Sequence, residues 1–367
     1  MLKPWLWLPP QVAHDLSLYS LKFLSLIPRG SDSLKIFSWS SLQWISSSRQ
    51  LLFTNPLGIA GGVDKNAETV LAWQSLGCGF VEIGTVTPLP QNPNPGKIIQ
   101  RDLKTLSLWN KMGFPSHGAQ VVLKNVETLK QSQKLNIPIF INLGKNRTTT
   151  NENAHLDYTK LMTLFQNAAD AFVINISSPN TVGLRDLAKS ETFEPFIHTL
   201  MKHHKNLSIR PPLLIKLSPD LSIDDFELTL RTCLKYDIDG FILTNSTVSR
   251  DQTSFYPTEG GVSGAPLKNL SLKALRCAVK ICSAEKTKKI IISTGGVMTA
   301  ADVFERIEMG ADLVQVYSTL IFEGPGFFRK VAKFAKQREH TSRSKKFGTP
   351  EAPSREEKLD SSGGRLP

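Results

Sequence analysis

Short apolar runs alternate with amphipathic stretches along the chain from residue 51 onward. Each run ends in small or polar residues, and stretches such as 223–236 and 300–309 show helical periodicity. Near-continuous apolar strands between helices are typical of parallel strands that are buried on both faces. The runs occupy residues 57–61, 80–84, 138–142, 171–176, 212–216, 240–244, 289–293 and 312–317.

The number of runs favours one α/β architecture. Eight parallel strands close a barrel that typically takes about 250 residues, and residues 51–335 match that size. A doubly wound open sheet is the alternative, although such a sheet would normally use fewer strands. We therefore predict that residues 51–335 form a (β/α)8 TIM barrel with a helical extension before it.

The extension comprises residues 1–28, which are apolar but interrupted. A membrane-spanning helix needs about 20 apolar residues, and charged residues and prolines break this segment well before that length. We expect a short helix and then a second one that begins at Pro9 and Pro10. Its apolar stripe is wide enough to lie in a membrane interface, and a helical hairpin packed on its own domain is the alternative. The stripe consists of Val12, Leu16, Tyr19, Phe23 and Ile27.

Composition and charge are the basis for interpreting the segments on either side of the predicted barrel. Residues 29–50 are rich in Ser and are interpreted as a linker, whereas residues 336–367 are predicted to be a basic, disordered tail. The net charge is +12, and from residue 330 onward ten Lys and Arg stand against five Asp and Glu. The remaining positive charge suggests affinity for anionic surfaces such as phospholipid head groups. No nucleic acid partner is expected, because no basic stripe is interleaved with aromatic residues.

The carboxyl ends of the predicted strands carry the candidate chemistry, because barrel active sites lie there. Amides, small hydroxyls, glycines and lysines predominate, without the His, Cys or carboxylate cluster that a metal site needs. Such a set suits a flat heterocycle with several donors and acceptors, although each polar residue alone is also explained as a strand or helix cap. The positions are Gly61, Gly62, Val63, Asp64, Lys65, Gly84, Thr85, Asn142, Asn175, Ser177, Ser178, Asn180, Lys216, Thr244, Asn245, Ser246, Gly295, Gly296, Tyr317 and Ser318.

Two glycine clusters on the last barrel units predict a phosphate site. Residues 260–264 read Gly-Gly-Val-Ser-Gly, and residues 293–296 read Ser-Thr-Gly-Gly after the seventh strand. With Tyr317 and Ser318 they occupy the place where barrels commonly bind phosphate through backbone N–H groups. A phosphorylated ligand is therefore expected.

Seven motifs fall on the predicted strand ends and loops: NPLGIAGGVDKN (55–66), EIGTVTP (82–88), NKMGF (110–114), INLGKN (141–146), NISSPNTVGLR (175–185), KLSPDL (216–221) and GGVSGAPL (260–267). They resemble the motifs of dihydroorotate dehydrogenases, in the same order and on the same strand ends. The resemblance covers residues 51 to about 330, and Gly61 and Lys111 depart from the usual Ala and Arg. Soluble members use a Cys base, whereas quinone-coupled members use Ser and carry an N-terminal helical extension. Ser178 and residues 1–28 favour the quinone-coupled class.

The resemblance implies FMN-dependent oxidation of (S)-dihydroorotate to orotate in de novo pyrimidine biosynthesis, with ubiquinone or menaquinone as the electron acceptor. Ser178 would be the catalytic base, Thr181 would relay its proton and Phe114 would keep the pocket dry. The implied FMN ligands are Gly61, Gly62, Val63, Asp64, Lys65, Thr85, Asn142, Asn175, Lys216, Thr244, Gly264, Gly296, Tyr317 and Ser318. The implied substrate ligands are Lys65, Asn110, Lys111, Met112, Gly113, Phe114, Asn175, Asn180, Asn245 and Ser246.

The resemblance also implies a place in the cell and leaves rival functions open. We expect a monomer or homodimer that is peripheral on the cytoplasmic face of a bacterial inner membrane, or alternatively on the mitochondrial inner membrane. One rival is a soluble dihydroorotate dehydrogenase that uses fumarate or NAD, against which the Ser base and the extension argue. Others are an aldolase or synthase with Lys65 or Lys216 as Schiff base, and a non-catalytic flavin- or membrane-binding protein.

Overall fold

The strands of the computed structural model coincide with the apolar runs of the sequence. The structure describes residues 3–26, 33–34, 46–48, 51–181, 183–188, 190–250 and 255–346. Its strands are β1 (Ser46–Ser48), β2 (Leu51–Phe53), β3 (Leu57–Asp64), β4 (Phe80–Val86), β5 (Ile99–Asp102), β6 (Ser107–Asn110), β7 (Ile139–Leu143), β8 (Ala171–Asn175), β9 (Leu213–Leu217), β10 (Gly240–Leu243), β11 (Gly261–Gly264), β12 (Ile290–Thr294) and β13 (Leu313–Val316).

Eight of these strands close a parallel barrel in the order β3, β4, β7, β8, β9, β10, β12 and β13, and β13 pairs with β3. The predicted (β/α)8 barrel is therefore confirmed, and the alternative prediction of a doubly wound open sheet is wrong. Strands β5, β6 and β11 form a separate antiparallel sheet beside the barrel mouth. The hairpin of β1 and β2 lies at the opposite end.

Helices follow the barrel strands and cover them. The α-helices are α1 (Pro10–Leu26), α2 (Val70–Ser75), α3 (Ala119–Gln131), α4 (Ala154–Phe165), α5 (Ser190–Lys205), α6 (Ile223–Lys235), α7 (Lys268–Ala284), α8 (Ala300–Glu308), α9 (Ser318–Glu323) and α10 (Phe327–Lys346). In α4 the buried side chains recur every three to four residues, which places one apolar stripe against the barrel. Helix α8 begins with a capping box formed by Thr299 and Asp302.

The barrel interior changes from apolar to polar along its axis. Side chains two residues apart on a strand share a face, so each strand contributes to successive interior layers. Phe80 and Phe140 belong to the apolar floor, and Phe53 of the β1–β2 hairpin packs edge-on against their rings at 5.7 and 6.2 Å. Two residues further along β4 and β7, the corresponding side chains are Glu82 and Asn142. A polar layer therefore lies above the apolar floor of the barrel.

The N-terminal segment packs beside the barrel mouth. A 3-10 helix (Pro4–Trp7) precedes α1, and Trp5 donates from Nε1 to the Ile321 carbonyl at 2.8 Å. Helix α1 turns Ala13, Leu21 and Leu24 toward the core. Its predicted stripe instead faces outward, with Tyr19 71% exposed, so the segment packs on its own domain through the other face of α1. Ile27 lies outside the described residues. Among the described helices, none is long and apolar enough to cross a membrane.

The flanking segments are described only in part. In the predicted linker, residues 33–34 and 46–48 are described and the others lie outside the described residues. In the predicted tail, α10 continues beyond residue 336 and ends at Lys346, whereas residues 347–367 are not described.

Candidate active site

A cleft of about 990 Å³, including its open mouth, lies at the carboxyl ends of the barrel strands. Most of the residues predicted from the sequence meet in its wall. They are Gly61, Gly62, Lys65, Thr85, Asn110, Met112, Gly113, Phe114, Asn142, Asn175, Ser178, Asn180, Lys216, Thr244, Asn245, Ser246, Gly264, Gly296, Tyr317 and Ser318.

Four of the residues implied as ligands or catalytic groups do not line this cleft. Val63 belongs to the hydrophobic core. Asp64 is buried, and its carboxylate accepts the backbone N–H groups of Glu68 at 3.0 Å and Thr69 at 2.8 Å. Burial raises the pKa of Asp64, and these hydrogen bonds oppose that rise. Lys111 forms an ion pair with Glu259 at 2.7 Å instead of pointing into the cleft.

Thr181, the fourth of these residues, is buried and directly follows Asn180, which lines the cleft. Its Oγ1 has no hydrogen-bond partner among the described residues. Ser178 is also buried, and its Oγ accepts the Asn180 backbone N–H at 3.2 Å. Within the described part of the chain, neither a carboxylate nor an imidazole forms a hydrogen bond with Ser178 Oγ. A base at this position therefore needs another route for its proton.

Buried amides in the middle of the cleft hold one another in place. Asn175 donates from Nδ2 to Thr85 Oγ1 at 3.0 Å and to Asn142 Oδ1 at 3.2 Å. Its Oδ1 accepts from Ser177 Oγ at 3.1 Å, and Asn245 Nδ2 donates to the same hydroxyl at 3.0 Å. Because the donors are fixed before a ligand arrives, the layer is preorganised for a planar polar molecule.

Arg185 fixes the segment that carries Ser178. Its guanidinium donates to the carbonyl of Ser177 at 3.0 Å and to the carbonyl of Ser246 at 3.0 Å. The same group forms an ion pair with Asp220 at 2.8 Å. The sequence motif contains Arg185, but no pattern in the sequence indicates that it joins the ends of two different strands.

On the side of the cleft where a substrate is expected, two asparagines and a lysine line the wall. Asn180 donates from Nδ2 to Asn110 Oδ1 at 2.7 Å. Lys65 Nζ lies 3.3 Å from His14 Nε2, which connects α1 with the cleft. Burial lowers the pKa of Lys65. Burial and the neighbouring Lys65 lower the pKa of His14 to about 3, so that His14 is neutral at physiological pH. The sequence interpretation did not assign His14 a place in the site.

The opposite end of the cleft suits an anion. Gly264 and Gly296 have φ values of +90° and +69°, which glycine adopts without strain. A Cβ at Gly296 would overlap the Lys268 backbone. Ser263 and Ser318 share a hydrogen bond between their hydroxyls at 2.8 Å. The buried Arg306 guanidinium donates to the Gly295 carbonyl at 2.7 Å and adds positive charge beneath the loop. This end fits a phosphate held by backbone N–H groups.

The complete donor set fits a phosphorylated flavin. Glycines and serines form the anion end, whereas amides and the Lys216 ammonium group line the middle. Two buried cleft acceptors, Gln315 Oε1 and Asn180 Oδ1, have no hydrogen-bond partner among the described residues. A heterocycle with N–H groups can satisfy such acceptors. In the described part of the chain, no group of three or more His, Cys, Asp or Glu is placed to hold a metal ion.

Comparisons with known proteins agree with this geometry. The family model described as dihydroorotate dehydrogenase matches residues 46–338. A dihydroorotate dehydrogenase (quinone) from Acidithiobacillus ferrooxidans is 38% identical over 343 residues, covering 90% of this chain and 92% of the relative. One of the same name from Deinococcus radiodurans is 36% identical over 336 residues, covering 87% and 89%.

A solved structure is also similar over nearly the whole chain. It is the crystal structure of DHODH from Eimeria tenella in complex with ferulenol, with a TM-score of 0.82 and 30% identity. The alignment covers 93% of this chain and 96% of that chain.

Proposed function

Because the chain belongs to the dihydroorotate dehydrogenase family, we propose that it oxidises (S)-dihydroorotate to orotate with bound FMN and passes the electrons to a quinone. The observation that carries the proposal is the meeting of Ser178 with a ring of fixed amides in one cleft. The reaction would serve pyrimidine biosynthesis, since orotate is a pyrimidine. Lys216 is the residue that would face the flavin ring, and Gly264, Gly296 and Ser318 would hold the phosphate.

The chain's own residues would orient the substrate and move one proton. Asn110, Asn180 and Asn245 supply amide donors and acceptors for the substrate ring, and Lys65 supplies a donor for its carboxylate. FMN, when bound, supplies the hydride acceptor. Ser178 Oγ would take the proton from the carbon next to the one that loses hydride. Thr181 Oγ1, which is buried without a partner among the described residues, supports a relay away from Ser178.

Phe114 supports the exclusion of water from this step. Its side chain lines the cleft and is 8% exposed, and its φ of +57° holds it in a conformation that non-glycine residues rarely adopt. Such conformations persist where the surroundings enforce them, often at functional sites. A dry pocket strengthens every hydrogen bond to the substrate.

The N-terminal segment supports access for a quinone from a membrane. Trp7 is 78% exposed, and the stripe of α1 gives an outward apolar face next to it. Arg101 donates to the carbonyls of Leu6 and Leu8, both at 2.6 Å, while its buried Nη1 has no partner among the described residues. We propose peripheral attachment, on the cytoplasmic face of a bacterial inner membrane or on a mitochondrial inner membrane, with ubiquinone or menaquinone as acceptor.

A steady-state assay tests this function. The purified protein should be yellow and should form orotate from dihydroorotate when a quinone is present. Fumarate and NAD, added singly in place of the quinone, should support little orotate formation. Turnover with either of them, but not with quinone, would assign the chain to the soluble class. If the protein is instead colourless and borohydride reduces a Schiff base between Lys65 and a substrate to a stable adduct, the result would support a Schiff-base enzyme.

A further inference from the structure

Glu82 is a carboxylate buried inside the barrel that the proposed reaction does not use. It lies in the middle of β4 and has no exposed surface. Its Oε1 accepts from Lys216 Nζ at 2.8 Å and from Asn142 Nδ2, and its Oε2 accepts from Gln315 Nε2 at 2.8 Å. The donors stand on three other strands, two of which are not neighbours of β4. The hydrogen bonds therefore cross the interior of the barrel.

Stability is a weak explanation for this ion pair. Removing two charges from water costs free energy that their attraction often does not recover, and apolar residues of similar volume are frequently as stable. The floor just below Glu82 shows that apolar residues fill this barrel readily. The pair is also asymmetric, since Lys216 lines the cleft and Glu82 does not. Its cationic end therefore faces the ligand and its anionic end lies beneath.

The chain also makes room for the carboxylate at Gly61. A Cβ at this position would overlap Glu82 Oε1 and come within 3.0 Å of Asn142 Nδ2. An alanine here would push the carboxylate away from its present place. The missing side chain of Gly61 thus leaves the space that the Glu82 carboxylate occupies. Gly61 itself lines the cleft above the carboxylate.

We infer that Glu82 is a positioning residue that fixes Lys216 Nζ at the cleft and offsets part of its charge, and thereby keeps the reduction potential of the bound flavin low. The inference rests on the proposed function. An unopposed ammonium group at the ring would stabilise the negative charge of the reduced flavin. A carboxylate within hydrogen-bond distance weakens that effect, so the electrons can pass to the next acceptor.

The test is the flavin reduction potential of Glu82→Gln, measured by anaerobic equilibration with reference dyes. The substitution removes one negative charge and keeps the shape of the side chain. Nearby charges shift protonation equilibria by about one to three powers of ten. We expect the reduced flavin to gain affinity about tenfold over the oxidised form, which raises a two-electron potential by about 30 mV.

Three companion variants separate charge from shape. Glu82→Asp keeps the charge and should return the potential toward the wild-type value, whereas a purely structural role predicts damage as large as that of Glu82→Gln. Lys216→Met should lower the potential, because it removes the positive charge. Gly61→Ala, which displaces the carboxylate, should raise it, and this variant tests the inference if Glu82→Gln does not fold.

The results distinguish this inference from the proposed function. A wild-type protein that binds no FMN would overturn the proposed function. A wild-type protein that binds FMN and oxidises dihydroorotate, while Glu82→Gln binds FMN at an unchanged potential, would overturn the role of Glu82 alone. That role is also overturned if Gly61→Ala and Glu82→Asp both bind FMN and shift the potential by equal amounts.

Discussion

At the scale of single residues, the burial of His14 beside Lys65 makes stability depend on pH. The folded protein holds the pKa of His14 at about 3, against an ordinary value of 6.5. At pH values between these two pKa values, His14 binds a proton in the unfolded chain but not in the folded protein. The free energy of unfolding therefore falls as the pH drops below 6.5. One pKa unit corresponds to about 1.4 kcal/mol, so acidification from pH 7 to pH 5 should cost up to about 2 kcal/mol at this group.

Urea unfolding of wild type and His14→Gln at both pH values measures this effect. The amide oxygen of the variant can still accept from Lys65, but it does not titrate. The variant should therefore lose about 1–2 kcal/mol less than wild type between pH 7 and pH 5. Equal losses in the two proteins would show that His14 takes up its proton normally in the folded state.

Arg185 gives a second prediction at this scale. Its three interactions join Ser177, Ser246 and Asp220, so its loss should loosen the segment that positions Ser178. We expect Arg185→Met to lower kcat/KM for dihydroorotate by about 10- to 100-fold, since small displacements of catalytic groups cost about that much. FMN content, read from the visible spectrum, should not change, because Arg185 does not line the cleft. Arg231→Met, at an exposed ion pair, is the matched control and should retain wild-type kinetics.

The site residues that could be predicted from the sequence are those whose place at the end of a strand is enough to assign them to the site. Asn142, Asn175 and Lys216 follow apolar runs, and parallel strands in a barrel bring such ends together. The partners of these residues could not be predicted in the same way. Glu82 stands inside an apolar run, and its bond to Gln315 joins residues 233 positions apart in the chain. Only the closure of the barrel makes them neighbours.

At the scale of elements, the loop between β12 and α8 should determine FMN affinity. Gly296 combines a positive φ with a backbone that a Cβ would strike at Lys268. An unfavourable φ alone costs about 1–3 kcal/mol. We expect Gly296→Ala to weaken FMN binding by at least about tenfold in a fluorescence titration. Gly326→Ala is a suitable control, because a Cβ there meets no atom within 4 Å. Wild-type affinity in Gly296→Ala would place the phosphate elsewhere.

The apolar pattern of the sequence located some elements of the fold and missed others. The apolar runs located all eight barrel strands, because buried strands tolerate few polar residues. The small sheet of β5, β6 and β11 was not predicted, since its strands are only four residues long and polar residues and glycines interrupt any apolar run in them. The course of α10 past residue 336 was also missed, because its polar face resembles a solvated tail.

At the scale of the whole molecule, the outward stripe of α1 predicts binding to a membrane surface. Leu16→Ser, Tyr19→Ser and Phe23→Ser combined should abolish co-sedimentation with anionic phospholipid vesicles, since each exposed apolar side chain contributes to insertion. The same variant should slow turnover with a long-chain quinone while leaving flavin reduction by dihydroorotate unchanged. As a control, Val121→Ser, Leu156→Ser and Leu228→Ser combined remove exposed apolar side chains from other helices. Vesicle binding that survives the α1 changes would place the membrane contact elsewhere.

The central claim is that Ser178 removes the substrate proton while the flavin is reduced. The most direct measurement is anaerobic stopped-flow mixing of dihydroorotate with FMN-loaded wild type and Ser178→Ala, followed by the loss of flavin absorbance. General base catalysis contributes about 10²- to 10⁴-fold, so bleaching in Ser178→Ala should be slower by at least about 100-fold, with FMN content unchanged. Bleaching in Ser178→Ala at the wild-type rate would contradict the account.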